Sequence, residues 1–211
     1  MDPEDESRAV CAGAVLAGGR NRRMGGENKA LCRVGEKAMV RRVLEVLSAC
    51  FSEVLVIARA PLPLLDLPAA ILPDLLPGSG SLVGIHAALS YARAPYVFVA
   101  ACDTPFLSPA LVRRLAGLAN GKVDVVVPRT EKGLEPLCAV YSRRAAPLVR
   151  ARLLQGRYRI SELYGNLKVR EVGPDELSQA DPGLLSFMNV NTPQDLERAR
   201  RLGAREEPWE S

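Results

Sequence analysis

Residues 16–31 read LAGGRNRRMGGENKAL and follow directly on the small apolar run VCAGAV at 10–15. Four glycines (Gly18, Gly19, Gly25, Gly26) alternate in this stretch with four cations (Arg20, Arg22, Arg23, Lys29). Glycine lets a backbone approach a ligand closely and adopt positive φ. Consecutive amides in such a loop form an anion-binding concavity, and nearby Arg and Lys complete a polyphosphate site. An ordinary strand-to-helix turn with solvated arginines has no need of so many glycines and cations together. The stretch therefore reads as a buried strand ending in a phosphate-binding loop. It is not a Walker A loop, which needs Gly-Lys-Ser/Thr, because Lys29 stands between Asn28 and Ala30. Nor does it carry G-x-G-x-x-G with an acidic residue placed to read a ribose.

Outward from this loop, the period of the apolar pattern switches repeatedly between strand and helix. Strands are expected at 10–17, 53–58, 69–72, 96–102, 123–127, 137–141 and 168–172. Helices are expected at 39–50, 81–92, 109–119, 145–155 and 192–202, with a frayed tail at 205–211. This alternation implies an α/β protein with a mostly parallel sheet covered on both faces. With 211 residues, 48% of them hydrophobic, the simplest organisation is one domain with its core at about 8–203 and short flexible tails. Ligands in such sheets sit outside the carboxyl ends of the strands, which is where the glycine loop begins.

Composition narrows the function. A net charge of +4 suits an anionic small molecule, and an aromatic content of 5% offers no stacking platform for single strands, so no nucleic-acid partner is expected. His86 is the sole histidine, which excludes a multi-His zinc site. It reads as a packing residue rather than a catalytic one. The five cysteines include no C-x-x-C pair, and Cys11, Cys102 and Cys138 lie in apolar runs as reduced packing residues. The acidic start has no apolar signal region, and no apolar run approaches about 18 residues, so a cytoplasmic protein without membrane contact is expected.

Four further segments carry chemistry. Asp103 follows the apolar strand at 96–102, and a carboxylate so near the core is costly without a partner. The next helix has its own cap in Ser108-Pro109, which leaves Asp103 free to hold Mg²⁺ opposite a triphosphate. DLLPGSGSLVGI at 74–85 is a second glycine loop, explained as well by a flexible turn. Its Asp74 offers an acceptor for the N1–H and exocyclic amine of guanine. In FMNVNTP at 187–193, alternation on a strand would put Asn189 and Asn191 on one face. One of them reads equally well as a cap or turn residue, while two on the same face suggest a polar ligand or a metal-bound water. Glu135, before Pro136, is read equally well as a turn entering a strand.

Segments 16–31, 77–89, 102–107, 135–141 and 189–196, in this order and over nearly the whole chain, resemble the molybdenum cofactor guanylyltransferase family. This is the family of molybdopterin-guanine dinucleotide biosynthesis protein A-like nucleotidyltransferases. The resemblance implies a three-layer α/β/α Rossmann-like nucleotidyltransferase fold. It also implies Mg²⁺-dependent transfer of GMP from GTP to the terminal phosphate of molybdopterin, with release of pyrophosphate. Cofactor-delivery or molybdoenzyme proteins are the implied protein partners.

Residue by residue, Lys29 matches the phosphate-contacting lysine, and Gly18 and Gly19 match the nucleotide-cradling glycines. Leu16 matches the position beside the base, and Ala17 is taken with it as nucleotide-binding. Asp103 matches the magnesium-binding aspartate, and Asp74 and Gly80 match nucleotide contacts. Asn189 and Asn191 match the paired asparagines associated with the pterin end. Arg23 joins Lys29 and Asp103 as a catalytic residue that would balance phosphate charge. Leu-Ala-Gly-Gly at 16–19 is like the guanylyl members, whereas related cytidylyltransferases show Leu-Ala-Ala-Gly. The chain departs from the family pattern at Asn28, where Asp is usual, at Asn21 in place of Ser, and at Ser81 in place of Pro. Two other readings stay open: a nucleotidyltransferase of the same fold using CTP or a sugar-phosphate acceptor, and a non-catalytic GTP-binding partner protein.

Overall fold

The computed structural model describes residues 10–18, 29–60 and 62–204. Gly19, Arg23, Asn28 and the tail expected at 205–211 lie outside the described residues.

The first strand, β1 (Cys11–Leu16), is followed by a 3-10 turn at Lys29–Leu31 and a small hairpin of β2 (Arg33–Val34) and β3 (Lys37–Ala38). The chain continues through α1 (Met39–Cys50), β4 (Val54–Ile57), β5 (Ala70–Leu72), α2 (Ser81–Tyr91), β6 (Tyr96–Ala101) and α3 (Pro109–Gly117). Next come β7 (Val125–Thr130), β8 (Gly133–Leu134), β9 (Cys138–Ser142), α4 (Ala146–Leu154) and β10 (Val169–Val172). Two helices, α5 (Pro174–Ala180) and α6 (Pro193–Gly203), complete the order.

The main sheet runs β10-β7-β9-β6-β1-β4-β5, with β8 paired to β7. Its neighbours are parallel except at β9, which runs antiparallel to β6 and β7, and at β8, which folds back on β7. The reversal has a simple cause. A parallel return needs a crossover of roughly a dozen residues or more, and residues 131–137 between β7 and β9 are too few.

Alternation along the central strands divides the core between the two faces. On β1, Cys11 and Val15 join one cluster while Ala12 and Ala14 join the other. On β6, Tyr96, Phe98 and Ala100 face the first cluster, and Val97 and Val99 the second. Helices α1, α3 and α5 cover the first face, through side chains such as Leu44, Leu111 and Leu177. Helices α2 and α4 cover the second, through Leu82, Ile85, Leu89 and Val149. The result is the three-layer α/β/α arrangement expected from the sequence. A third cluster seats α6 on the β2–β3 hairpin through Val34, Met39, Phe106, Val190, Leu196 and Ala199.

The helices show why each lies where it does. On α1 the buried positions are 39, 40, 43, 44, 47 and 50, a single apolar stripe at helical spacing. On α2 every residue from Leu82 to Leu89 is buried, because this helix is held between the sheet and α4. The β2–β3 hairpin is an element that the apolar pattern does not announce. It is too short for a period of two to show, and it turns at Gly35, whose φ is 62°. No helix among the described residues is long and apolar enough to cross a membrane. All five cysteines are buried and none is in a disulfide, and burial pushes the Cys11 and Cys102 thiols up to about 12.

Candidate active site

The site begins where β1 ends. The Cys102 N–H donates to the Leu16 carbonyl at 3.1 Å, and the Ala17 N–H donates to the Ile57 carbonyl at 2.8 Å. The carboxyl ends of β6, β1 and β4 are thereby tied edge to edge, with Leu16, Ala17 and Gly18 between them. Gly84 lets α2 approach this point closely: a Cβ there would lie 3.2 Å from the Leu16 side chain.

Lys29 and Asp103 are 74 residues apart in sequence, yet Lys29 Nζ donates to Asp103 Oδ2 at 2.5 Å. The same ammonium donates to Asn191 Oδ1 at 2.7 Å. Asp103 Oδ1 is buried and has no hydrogen-bond partner among the described residues. Burying a carboxylate oxygen unpaired is costly, so its position calls for a cation or a donor from a ligand. One oxygen is neutralised by Lys29 and the other is held ready.

Asn191 reaches this centre because of a helix cap. The Val190 N–H donates to the Asp103 carbonyl at 2.9 Å, which lays residues 188–192 beside the aspartate. Thr192 and Asp195 form a capping box at the start of α6, and Asp195 Oδ2 also accepts the Asn191 N–H at 3.0 Å. These backbone N–H groups, with the Thr192 hydroxyl and the nearby Lys29 charge, hold the Asp195 carboxyl below its usual range. The strand considered for 187–193 is absent. Leu185–Phe187 form a single 3-10 turn, and the chain then runs without regular structure into the cap. The two asparagines consequently part company. Asn191 joins Lys29 and Asp103, whereas the exposed Asn189 side chain makes no hydrogen bond among the described residues.

A second concavity opens past β5. Arg59 and residues 73–78 line a cavity of about 300 Å³. Asp74 is half-buried within it, and burial pushes its carboxyl pKa up while the Arg59 charge pulls it down. The loop then turns through Gly78 (φ 138°) and Gly80 (φ 113°), conformations that side chains with a Cβ rarely adopt. At Gly78 a Cβ would also meet the Tyr158 ring at 2.8 Å, whereas at Gly80 nothing lies within 4 Å. Gly80 is thus required by its backbone angle, and Gly78 by its angle and its neighbour. Arg59 Nη1 donates to the Gly78 carbonyl at 3.3 Å, and a Cβ on Gly18 would sit 3.5 Å from the Arg59 backbone nitrogen. The cavity therefore adjoins the end of β1.

Arg59 is the lining residue that the sequence pattern does not single out. Its signal is there to be read: a cation just beyond an expected strand, at the edge where ligands bind. His86 lies outside this constellation in role. It is buried on α2 with Nδ1 unpartnered among the described residues, and burial together with the Arg150 charge lowers its pKa, as fits a neutral packing residue. Glu135 is half-buried and accepts the Thr130 hydroxyl at 3.0 Å. Burial raises its carboxyl pKa.

The donor set can be tested against magnesium. Among the described residues no group of three His, Cys, Asp or Glu side chains could hold a metal ion by itself. Mg²⁺ at nucleotide sites needs no such cage, since it typically takes one or two carboxylates and fills its shell with phosphate oxygens and water. The free Asp103 Oδ1 fits that requirement.

Comparison with known proteins accords with this geometry. The model of the MobA-like NTP transferase domain matches residues 13–170. A molybdenum cofactor guanylyltransferase from Desulfosudis oleivorans is 43% identical over 187 residues, 89% of this chain and 93% of that protein. A probable molybdenum cofactor guanylyltransferase from Pelotomaculum thermopropionicum is 42% identical, over 89% of this chain and 91% of its own. The crystal structure of molybdopterin-guanine dinucleotide biosynthesis protein A from Archaeoglobus fulgidus superposes with a TM-score of 0.82. It shares 32% identity and covers 92% of this chain and 98% of its own. Likeness of this degree over most of both chains, with the same α/β sheet beneath it, makes the protein a nucleotidyltransferase of the MobA-like NTP transferase family.

Proposed function

We propose that the protein transfers GMP from GTP to the terminal phosphate of molybdopterin, forming the guanine dinucleotide cofactor and releasing pyrophosphate. The observation that carries this reading is the cluster of Lys29, Asp103 and Asn191, with Asp103 Oδ1 buried and unpartnered beside a glycine-rich strand end. The guanylyltransferase names of the relatives support GTP as donor and molybdopterin as acceptor. So does Leu-Ala-Gly-Gly at 16–19.

In this reading an oxygen of the acceptor phosphate attacks the α-phosphorus of GTP in line. The new P–O bond forms as the bond to the β-phosphate oxygen breaks, and pyrophosphate leaves with that electron pair. No covalent enzyme nucleophile is needed, because positioning and charge balance supply the catalysis. Lys29, pinned between Asp103 and Asn191, balances charge on the reacting phosphates, and Arg23 of the glycine loop adds a second cation. Gly18 and Gly19 let the backbone lie against the phosphates, while Leu16, Ala17, Asp74 and Gly80 border the nucleoside. Asp103 would hold Mg²⁺, which when bound supplies electrophilic stabilisation of the phosphate oxygens. Asn191 acts at the phosphate centre, and Asn189 is left to the acceptor side. Five buried cysteines, none in a disulfide, suit a reducing cytoplasm, and cofactor-delivery or molybdoenzyme proteins would pass on substrate and product.

Base choice is open to a direct check. With Mg²⁺ present, GTP at about a hundredfold excess over its dissociation constant should raise the melting temperature by about 5–10 °C. ATP, UTP and CTP should raise it much less. A larger shift with CTP would overturn the guanine assignment.

A further inference from the structure

We infer that Arg59 is a specificity-determining residue for the base, its guanidinium donating to O6 and N7 of guanine while Asp74 accepts from N1–H and the 2-amino group. This inference rests on the reading of GTP as donor and deepens it.

Both side chains line the same cavity of about 300 Å³, at the low end of the range for small-molecule pockets and roomy enough for one purine. Asp74 is half-buried, and no described residue donates a hydrogen bond to its carboxylate. Arg59 lies close enough to pull on the Asp74 charge, yet no ion pair joins them among the described residues. Of the five N–H donors on a guanidinium, one on Nη1 is committed, to the Gly78 carbonyl. That bond fixes the arginine head against the loop and leaves donors for a ligand.

The pair therefore presents a donor fork next to an acceptor. Guanine offers the complement along one continuous edge: acceptors at N7 and O6, then donors at N1 and the 2-amino group. Arginine meets O6 and N7 bidentately in the commonest specific guanine contact. Adenine reverses the pattern, setting its 6-amino donor against the arginine and its N1 acceptor against the carboxylate. Cytosine and uracil have no N7 to reach the fork.

The test is calorimetric binding of GTP, 7-deaza-GTP, ITP and ATP, each with Mg²⁺, to the wild type and to Arg59→Met, Arg59→Lys and Asp74→Asn. 7-Deaza-GTP lacks N7, and ITP lacks the 2-amino group. The wild type should bind each of these about tenfold more weakly than GTP. Arg59→Met should weaken GTP about tenfold and erase the 7-deaza penalty, while the ITP penalty remains. Arg59→Lys keeps the charge without the fork and should also lose the 7-deaza penalty, which covers the case of a Met variant that fails to fold. Asp74→Asn should do the converse, losing the ITP penalty alone. If Arg59 merely tethers Gly78, its variants will weaken all four nucleotides equally and retain the 7-deaza penalty, and the inference is overturned. A wild type that binds GTP selectively with unchanged selectivity in both Arg59 variants overturns the inference alone. A wild type that prefers ATP overturns the guanine reading beneath it.

Discussion

Asp103→Ala is expected to lower turnover by about three orders of magnitude or more while leaving the fold intact. The expected loss is large because one carboxylate would do two jobs. Asp103 Oδ2 accepts the Lys29 ammonium at 2.5 Å, and Oδ1, with no partner among the described residues, is the oxygen that would hold the proposed cation. Its removal would take away the proposed metal ligand and release Lys29 from one of its anchors. The structural consequence should be slight. The bond that joins this turn to the segment before α6 is made by the Asp103 carbonyl, which alanine keeps. A change in melting temperature within about 4 °C of wild type is expected, the size of a loss near 1 kcal/mol in a chain of this length. Steady-state pyrophosphate release and a melting curve on the same preparation check both halves. Near-normal turnover with Mg²⁺ in the folded variant would remove Asp103 from the metal site.

Lys29→Met is expected to reduce kcat by about two to three orders of magnitude, with a smaller rise in the KM for GTP. Methionine retains most of the side-chain length and apolar body but removes the charge and its donors. The distinction lies in when the charge is needed. A lysine that merely held ground-state GTP would shift KM, whereas one that balances charge developing on the departing pyrophosphate shifts kcat. The second role is the one proposed for Lys29, because Asp103 and Asn191 both orient its ammonium before substrate arrives. Arginine is not expected to restore the rate, since its broad planar fork cannot occupy the position of a compact ammonium bonded at 2.5 and 2.7 Å to two partners. Steady-state kinetics separate the two constants, and an unchanged kcat would contradict a transition-state role for Lys29.

Much of the fold is legible in the sequence because it depends on local pattern. Short apolar runs at 96–102 and 10–17 read as strands buried on both faces, and the stripe on α1 marks one covering helix. The antiparallel β9 follows less directly, since periodicity carries no direction; only the short connection from β7 reveals it. The hairpin at 33–38 and the seat it provides for α6 are not legible, because two-residue strands leave no periodic trace. Within the site, Asp103 stands out as a charge at the end of an apolar strand, and Lys29 as a cation in a glycine loop. That they form an ion pair depends on the β1–β6 register, which no local pattern records. The asparagines look like a matched pair only because alternation suggests a strand. The capping box at Thr192 and Asp195 instead draws Asn191 inward, and Asn189 stays exposed. Arg59 escapes notice because a single cation just beyond an expected strand is a weak signal until the fold places Asp74 in the same cavity.

The most direct test of guanylyl transfer supplies GTP labelled at the α-phosphate together with molybdopterin and Mg²⁺, following the label and the released pyrophosphate together. The label is expected to pass into a dinucleotide product in step with pyrophosphate, and neither event is expected with CTP, ATP or UTP. Bound GTP with no pyrophosphate released in the presence of molybdopterin, or transfer of CMP in its place, would contradict guanylyl transfer.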